Sequence, residues 1–531
     1  MHEELTELIR QGKWMDAEEC VCRMEKEGIC DISFQICRAT VCEQNGDYTG
    51  ELRAIADGLS SDWKNYELFY MLGLMLQERN LNQAWLCMRQ AEWYCAHGGE
   101  NPDDRCTASG NENEPDRNND LMEIRRMRCE MEKRPDLSVR GLSIVILSYN
   151  NAELTRECLG AVRHYHDLKD TQIVVTDNAS TDGIAQWLRT QDGITLIENG
   201  DNVGFPDGCN IGVLACNPEN DVMLLNNDAI LTPNALFWLR MGLYADRNVG
   251  AVGPVSNNAV SQTVCRMQNG IADRAISMEP EAEKAEDWHQ SLLEWTRDAA
   301  AYHLPLMHPY EDRCRLTGFA VLIRRETVNH VLMEQGLLLD PRFAPAYFED
   351  DDLGMRIAQA GYRQLLCHNS VVWHAGGKGF DRTPAEAPSG ISPVMQRSRE
   401  KFCEKWGFDI WAYELPEEEI IEKIETEYPD HQMPLRVLQI DCGMGTTLSA
   451  IRYLYPNAYA AGIESVAKIA GMAKYMGDIL TGNPEKMELP YPAHSFDVII
   501  ASGSASVSES ASAQLQEKLR KLLKPEGMFL L

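Results

Sequence analysis

The chain has 531 residues, 44% apolar and 25% charged, more than one hydrophobic core ordinarily serves, so several domains are expected. Its 50 basic and 81 acidic residues leave a formal charge of −31, which repels phosphate backbones and excludes nucleic acid as the main partner. The opening MHEELTELIRQGKW lacks a basic-then-apolar leader, and no apolar run reaches the roughly 18 residues a membrane span needs. Seventeen cysteines without an export signal fit reduced thiols and a cytoplasmic location. Cys20, Cys22, Cys30, Cys37 and Cys42 contain no C-x-x-C pair and are expected to be small apolar filler in helices rather than metal ligands.

Residues 1–100 carry apolar positions at helical spacing, as in Leu5, Leu8 and Ile9, and again in Tyr66, Phe69, Tyr70, Leu72 and Leu76. Turn signals at Gly12-Lys13-Trp14, Gly46-Asp47-Tyr48 and Asn80-Leu81-Asn82 recur 34 residues apart. That period resembles the tetratricopeptide repeat, in which each helix pair buries its apolar face against a neighbour. An irregular helical bundle fits as well. Either one is an interaction module that offers a surface to a protein partner. Residues 101–138 are expected to be a linker ending in a short charged helix, because 98–120 are polar and without period and LMEIRRMRCEMEK follows.

From Leu142 strands and helices alternate, the pattern of a mostly parallel sheet covered on both faces. LSIVILS, TQIVVTD and VMLLNN read as strands, and VGAVGP as another. Ligands of such sheets sit at the carboxyl ends of the strands, where the polar tails of this sequence lie. Those tails are Ser148-Tyr149-Asn150, then Asp177-Asn178-Ala179-Ser180-Thr181-Asp182-Gly183, then Asn202-Val203-Gly204-Phe205 with Asn210 behind it. Next come Asn226-Asn227-Asp228, Thr317-Gly318-Phe319, the acidic run Glu349-Asp350-Asp351-Asp352, and Trp373-His374. Singly each is weak: Asp228 alone suits a turn carboxylate, His374 a buried core histidine, and the acidic run a helix N-terminus.

In this order and at these intervals the motifs resemble glycosyltransferase family 2, in particular its rhamnosyltransferase-like branch, over residues 139–415. The resemblance implies the GT-A fold, a Rossmann-like mixed sheet, and sugar transfer from a nucleotide-diphosphate donor. It places Asp228 as the metal-binding carboxylate of a variant Asp-x-Asp motif, with Asn227 at the donor and His374 completing the metal site; oxygen and imidazole ligands suit Mn²⁺ or Mg²⁺. It makes Asp350, beside Glu349, the general base that deprotonates the acceptor hydroxyl, and a single displacement with inversion follows. Ser148, Tyr149 and Asp177 correspond to nucleoside contacts. Asn202, Gly204 and Phe205 form a loop near the diphosphate, steadied by Asn210, and Gly318 leaves room for the sugar. Asp182-Gly183 reads as a helix-capping turn, and Gly376 to Gly379, with Lys378, either as a loop over the diphosphate or equally as a solvated loop.

After a linker at 416–433, residues 434–531 resemble the start of a class I S-adenosylmethionine-dependent methyltransferase. The expected glycine turn reads Asp441-Cys442-Gly443-Met444-Gly445, an acidic position is Gln439, another is Asn483, and a Ser/Ala stretch replaces the loop after the fourth strand. Of the acidic positions only Glu464 keeps its expected type, and Gly443 and Gly445 keep theirs in the turn. A degenerate sheet ending at its fifth strand is therefore expected, and S-adenosylmethionine is not expected to bind. The composite is a multidomain α and α/β chain: a helical repeat, a GT-A sheet and a truncated Rossmann-like sheet. Its expected function is metal-dependent, inverting transfer of a sugar to a hydroxyl of a glycan, such as a bacterial surface glycan, or of a protein. No transmembrane segment is expected, and peripheral membrane association stays open. A non-catalytic scaffold and a bifunctional glycosyl- and methyltransferase are the competing readings.

Overall fold

The computed structural model describes residues 1–97, 114–259, 261–263, 296, 298–299, 302–376, 391–501 and 513–531, with side chains in the seventh helix described from residue 117. Seven helices come first: α1 (His2–Arg10), α2 (Trp14–Lys26), α3 (Ile32–Asn45), α4 (Tyr48–Ser61), α5 (Tyr66–Leu76), α6 (Leu81–His97) and α7 (Glu114–Met131). The three recurring turns fall between α1 and α2, α3 and α4, and α5 and α6. Gly46, at φ 71°, ends α3 in the left-handed region that glycine enters freely, and the Asp47 carboxylate then caps α4 by accepting from Gly50 N at 2.9 Å.

Two expectations change here. α7 begins within the stretch expected to be linker and lies along α6, burying Ile124 and Met131, with the Arg128 guanidinium 2.7 Å from Glu92. The polar run at 114–120 hid its start, while the rest of it is the short charged helix that was expected. Of the cysteines expected to be filler, Cys20 is buried and Cys37 and Cys42 are half-buried, but Cys22 and Cys30 are exposed. All of them are free thiols.

A nine-stranded mixed sheet follows, built from β1 (Leu142–Ser148), β2 (Thr171–Asp177), β3 (Ile194–Glu198), β4 (Asp221–Asn226), β5 (Ala229–Leu231), β6 (Val249–Val255), β7 (Tyr310–Arg313), β8 (Ala320–Ile323) and β9 (Arg363–His374). The order is β3-β2-β1-β4-β8-β6-β9-β5, with β7 on β9. β3, β2, β1 and β4 run parallel, whereas β8 is antiparallel to both β4 and β6. The central strands read as unbroken apolar runs because both faces are covered. Ile144, Ile146, Ile173 and Val175 share a core with α5, α6 and α7, while Val145, Leu147 and Val174 pack on the opposite layer with Leu338, Leu353 and Ile357.

The last unit is a five-stranded parallel sheet, ordered β12 (Asp478–Thr481), β11 (Tyr459–Glu464), β10 (Arg436–Ile440), β13 (Phe496–Ile500), β14 (Leu523–Leu530). Its helix Thr446–Leu454 packs on β7, where Ser449 Oγ donates to the Asp312 carbonyl at 2.7 Å and Tyr453 stacks on His368 with ring centroids 3.9 Å apart. Among the described residues, no helix is long and apolar enough to cross a membrane.

Candidate functional site

Backbone pairing gathers the polar strand ends. β4 finishes at Asn226, Asn227-Asp228 turns the chain, and β5 leaves antiparallel to the end of β9 with Ala229 opposite His374. Asp228 thereby lies beside the end of β9, its carbonyl accepting from Ala375 N at 3.0 Å. Because β8 is antiparallel to β4, the loop before it reaches the same place, and the Phe319 carbonyl accepts from Asn226 N at 2.8 Å. The helix Glu349–Gln359 then presents its first turn across the gap: Asp350 Oδ2 accepts from Gly318 N at 2.8 Å. A Cβ at Gly318 would stand 3.1 Å from that of Asp350, so the absence of a side chain permits this approach.

These segments enclose a cleft of about 330 Å³. Asp228, His374, Asn226 and Asn227 line it together with Tyr149, Phe205, Gly318, Glu349 and Asp350. The Asp228 Oδ1 and His374 Nε2 atoms are 3.4 Å apart. His374 is held on every side: its ring stacks on Phe319 at 4.8 Å, its N–H donates to Asn257 Oδ1 at 2.8 Å, and Nδ1 faces the Asn258 carbonyl at 2.9 Å. That last contact puts the proton on Nδ1 and turns the Nε2 lone pair toward Asp228. Burial pulls the imidazole toward its neutral form, but the Asp228 carboxylate outweighs it and holds the ring above its ordinary pKa. A positive charge, whether proton or cation, is what this pair of atoms accommodates. Among the described residues no group of three or more Asp, Glu, His or Cys side chains could hold a metal, and here the Asp228 and His374 side chains stand together. Two ligands suit a hard cation that completes its shell with phosphate oxygens and water.

The four acids at the start of Glu349–Gln359 have four different environments. Glu349, 7% exposed, is sunk against Leu224, Leu316, Leu339 and Leu353, and burial, reinforced by the Asp350 charge, pushes its carboxyl well above the usual range. Asp350 is half-buried at the cleft, one oxygen held by Gly318 N–H and the other by Asp351 N–H at 2.9 Å. Asp351 lies 3.0 Å from Arg315 Nε, and burial raises its pKa despite that cation. Asp352 is wholly buried, accepting from Arg356 Nε and Trp406 Nε1, each at 2.9 Å, with Lys405 Nζ at 2.5 Å. Ahead of the helix, Tyr347 (φ 76°) and Phe348 (φ 70°) both occupy the left-handed region that residues with a Cβ avoid. Tyr347 thereby joins the cleft wall, while Phe348 reaches Phe402 and Trp411.

Several residues expected at the donor are not among those that line the cleft. Asn210 is 2% exposed and gives its whole amide to the chain at Leu338-Leu339: its Oδ1 accepts from both N–H groups at 3.0 and 2.9 Å, and its Nδ2 donates to the Leu339 carbonyl at 2.8 Å. It fastens a helix, and it lies outside the cleft lining. Asn202 and Gly204 are knit to Asn178, and Gly204 lies against Pro345, outside the cleft lining; of that loop only Phe205 reaches it. Ser148 and Asp177 pair across β1 and β2, buried behind the lining, yet Ser148 Oγ and Asp177 Oδ1 lack hydrogen-bond partners among the described residues. Asp182 caps as expected, accepting from Ala152 N at 2.7 Å and Ile184 N at 3.2 Å. The loop with Gly377, Lys378 and Gly379 lies outside the described residues.

Sequence reasoning missed Arg315, which lines the cleft and ion-pairs with Asp351 and Glu414, and the cleft residues Tyr347, Met395 and Trp411. It also missed Asn257 and Asn258, which orient His374. Arg315 stands two positions before the Thr317-Gly318-Phe319 motif and the asparagines follow β6 directly, signals available only once those strands are placed.

A family model described as glycosyl transferase family 2 matches residues 143–291. Among solved structures, GalNAc-T7 with UDP, GalNAc and Mn²⁺ aligns at 14% identity and a TM-score of 0.36, over 52% of this chain and 50% of that one. The mannosyltransferase PcManGT from Pyrobaculum calidifontis, in complex with GDP-Man and Mn²⁺, aligns at 17% identity and a TM-score of 0.31, over 60% and 80%. The chain thus spans about half the length of the first of these. No curated protein matches it.

Proposed function

We propose that this chain is an inverting, metal-dependent glycosyltransferase that moves a sugar from a nucleotide-diphosphate donor to a hydroxyl of a glycan or protein acceptor. The observation that carries the reading is the shared cleft: the Asp228–His374 pair on one wall and the Asp350 carboxylate on another. The family match covers Asp228 and the strands that lead to it, and supports glycosyl transfer as the chemistry.

Asp228 and His374 would hold the cation, whose charge, once bound, stabilises the departing diphosphate. Asp350 accepts the proton of the attacking hydroxyl, and its two backbone N–H contacts fix the carboxylate in place for that transfer. Burial draws the Glu349 carboxyl toward its protonated form, which lessens the negative charge beside the base. Phe205, Phe319 and Tyr347 give the cleft apolar faces suited to sugar rings. Among the described residues of the cleft no side chain is arranged as an activated covalent nucleophile, so one displacement, with inversion, is the simplest course. The helical units at the N-terminus, read as tetratricopeptide-like, offer a surface for a protein partner.

Release of nucleoside diphosphate from a panel of nucleotide sugars, with Mn²⁺ and with chelator, tests the reading. Turnover with at least one donor that chelator abolishes is expected. A chain inert toward every donor, or one unaffected by chelator, contradicts it.

A further inference from the structure

In the five-stranded unit, the glycine turn lies where a parallel sheet ordinarily meets a nucleotide, yet the protein itself covers it. Asp441, Gly443 and Gly445 leave β10 at φ values of 50°, 56° and 76°. The ring of Tyr413 lies so close to Gly443 that a Cβ there would stand 2.7 Å from Tyr413 Cδ1. Thr446 Oγ1 donates to the Tyr413 carbonyl at 2.6 Å. Glu464, the acid at the end of β11, is taken up by the N–H groups of Gly443 at 3.0 Å and Val466 at 2.7 Å. Met444 is 1% exposed, within one apolar cluster that includes Phe348, Met355, Phe402 and Trp406.

The residues flanking Tyr413 serve the other side. Trp411 lines the transferase cleft, and Glu414 ion-pairs with Arg315, which also contacts Asp351. Arg315 is therefore a buried guanidinium in the cleft wall, clamped between a carboxylate of the Asp350 helix and one of the connecting segment. Asp351, 3.0 Å from Arg315 Nε, follows Asp350 in the helix, and Arg315 and Asp350 line the same cleft, so the Glu414 pair bears on where this cation stands relative to Asp350.

We propose that the glycine turn of the C-terminal sheet is a socket for Tyr413, and that the socket sets Glu414 as a positioning residue of the transferase site, keeping Arg315 on Asp351 and away from Asp350. The inference rests on the transferase reading above. It gives the degenerate-looking sheet a task that needs no cofactor, and accounts for a glycine at a position where any side chain meets an aromatic ring.

The test is steady-state kinetics on the full chain with Mn²⁺ and the best donor. Glu414→Gln, close in shape but uncharged, is expected to lower kcat at least tenfold with donor KM within twofold of wild type, and Glu414→Asp to restore most of the rate. Gly443→Ala is expected to show the same split, and if it fails to fold, the Glu414 pair decides alone. Wild-type kcat in Glu414→Gln overturns the proposal while leaving the transferase reading intact; a wild type without turnover overturns both. Calorimetric binding of S-adenosylmethionine to the wild type also overturns the socket, because it requires an open turn.

Discussion

Asp350 and Glu349 are neighbours in sequence with opposite surroundings, and the contrast is testable. Asp350→Asn keeps the hydrogen-bonding shape but cannot accept a proton; transfer is expected to fall about 10²–10⁴-fold with donor affinity nearly unchanged. A rate above a tenth of wild type contradicts the assignment. Glu349→Gln copies the neutral carboxyl, so activity is expected to stay near wild type. The folded state holds the Glu349 proton more tightly than the unfolded chain does. Ionisation therefore costs stability, and wild type should lose stability relative to Glu349→Gln as pH rises from the unfolded value of about 4.3 toward the folded one. Parallel unfolding curves at pH 4 and pH 8 check the sign; a gap independent of pH refutes it. Asp228→Ala removes the carboxylate proposed to hold the cation and is expected to abolish the Mn²⁺ dependence of donor binding, read by calorimetry with and without the ion.

At the scale of elements, the helix Glu349–Gln359 is the part on which the site depends most. Its Asp352 gathers Arg356, Lys405 and Trp406 with no exposure to water; Asp352→Ala takes the carboxylate from Arg356 and leaves Lys405 with Asp340, at 2.8 Å, and is expected to destabilise the chain by about 3 kcal/mol in denaturant unfolding. Much of this architecture was legible beforehand. β1, β2, β4 and β6 are apolar runs bounded by polar turns, and the Asn227-Asp228 turn, Gly318, Asp350 and His374 do meet in one cleft. The failures have a common cause. Asn210 and Asn202 are small amides beside glycines, and nothing local tells an amide that fastens a helix from one that contacts a ligand; that depends on Leu338-Leu339 and Asn178, up to 129 residues away. The start of α7 escaped because residues 114–120 are polar, and Arg315 because its two carboxylate partners come from separate segments.

For the whole molecule, the three units share cores rather than hanging from linkers. Phe69 of α5 meets Phe237 edge-on at 5.2 Å, and Asn234, at φ 65°, joins Gln90, Tyr94 and the Trp63 carbonyl through its amide. Asn234→Ala leaves those buried groups unmatched and is expected to cost about 1–3 kcal/mol, seen as faster hydrogen exchange in α6; unchanged exchange there argues for an independent helical module. Across the other boundary, the cluster around Phe348 and Met444 couples the parallel sheet to the wall of the cleft. The most direct measurement of the central claim is anomalous scattering from crystals grown with Mn²⁺ and a nucleoside diphosphate. The account predicts one peak about 2–2.4 Å from both Asp228 Oδ1 and His374 Nε2, inside the cleft that Asp350 also lines. A manganese ion bound to the diphosphate away from these two residues, or a diphosphate outside that cleft, contradicts it.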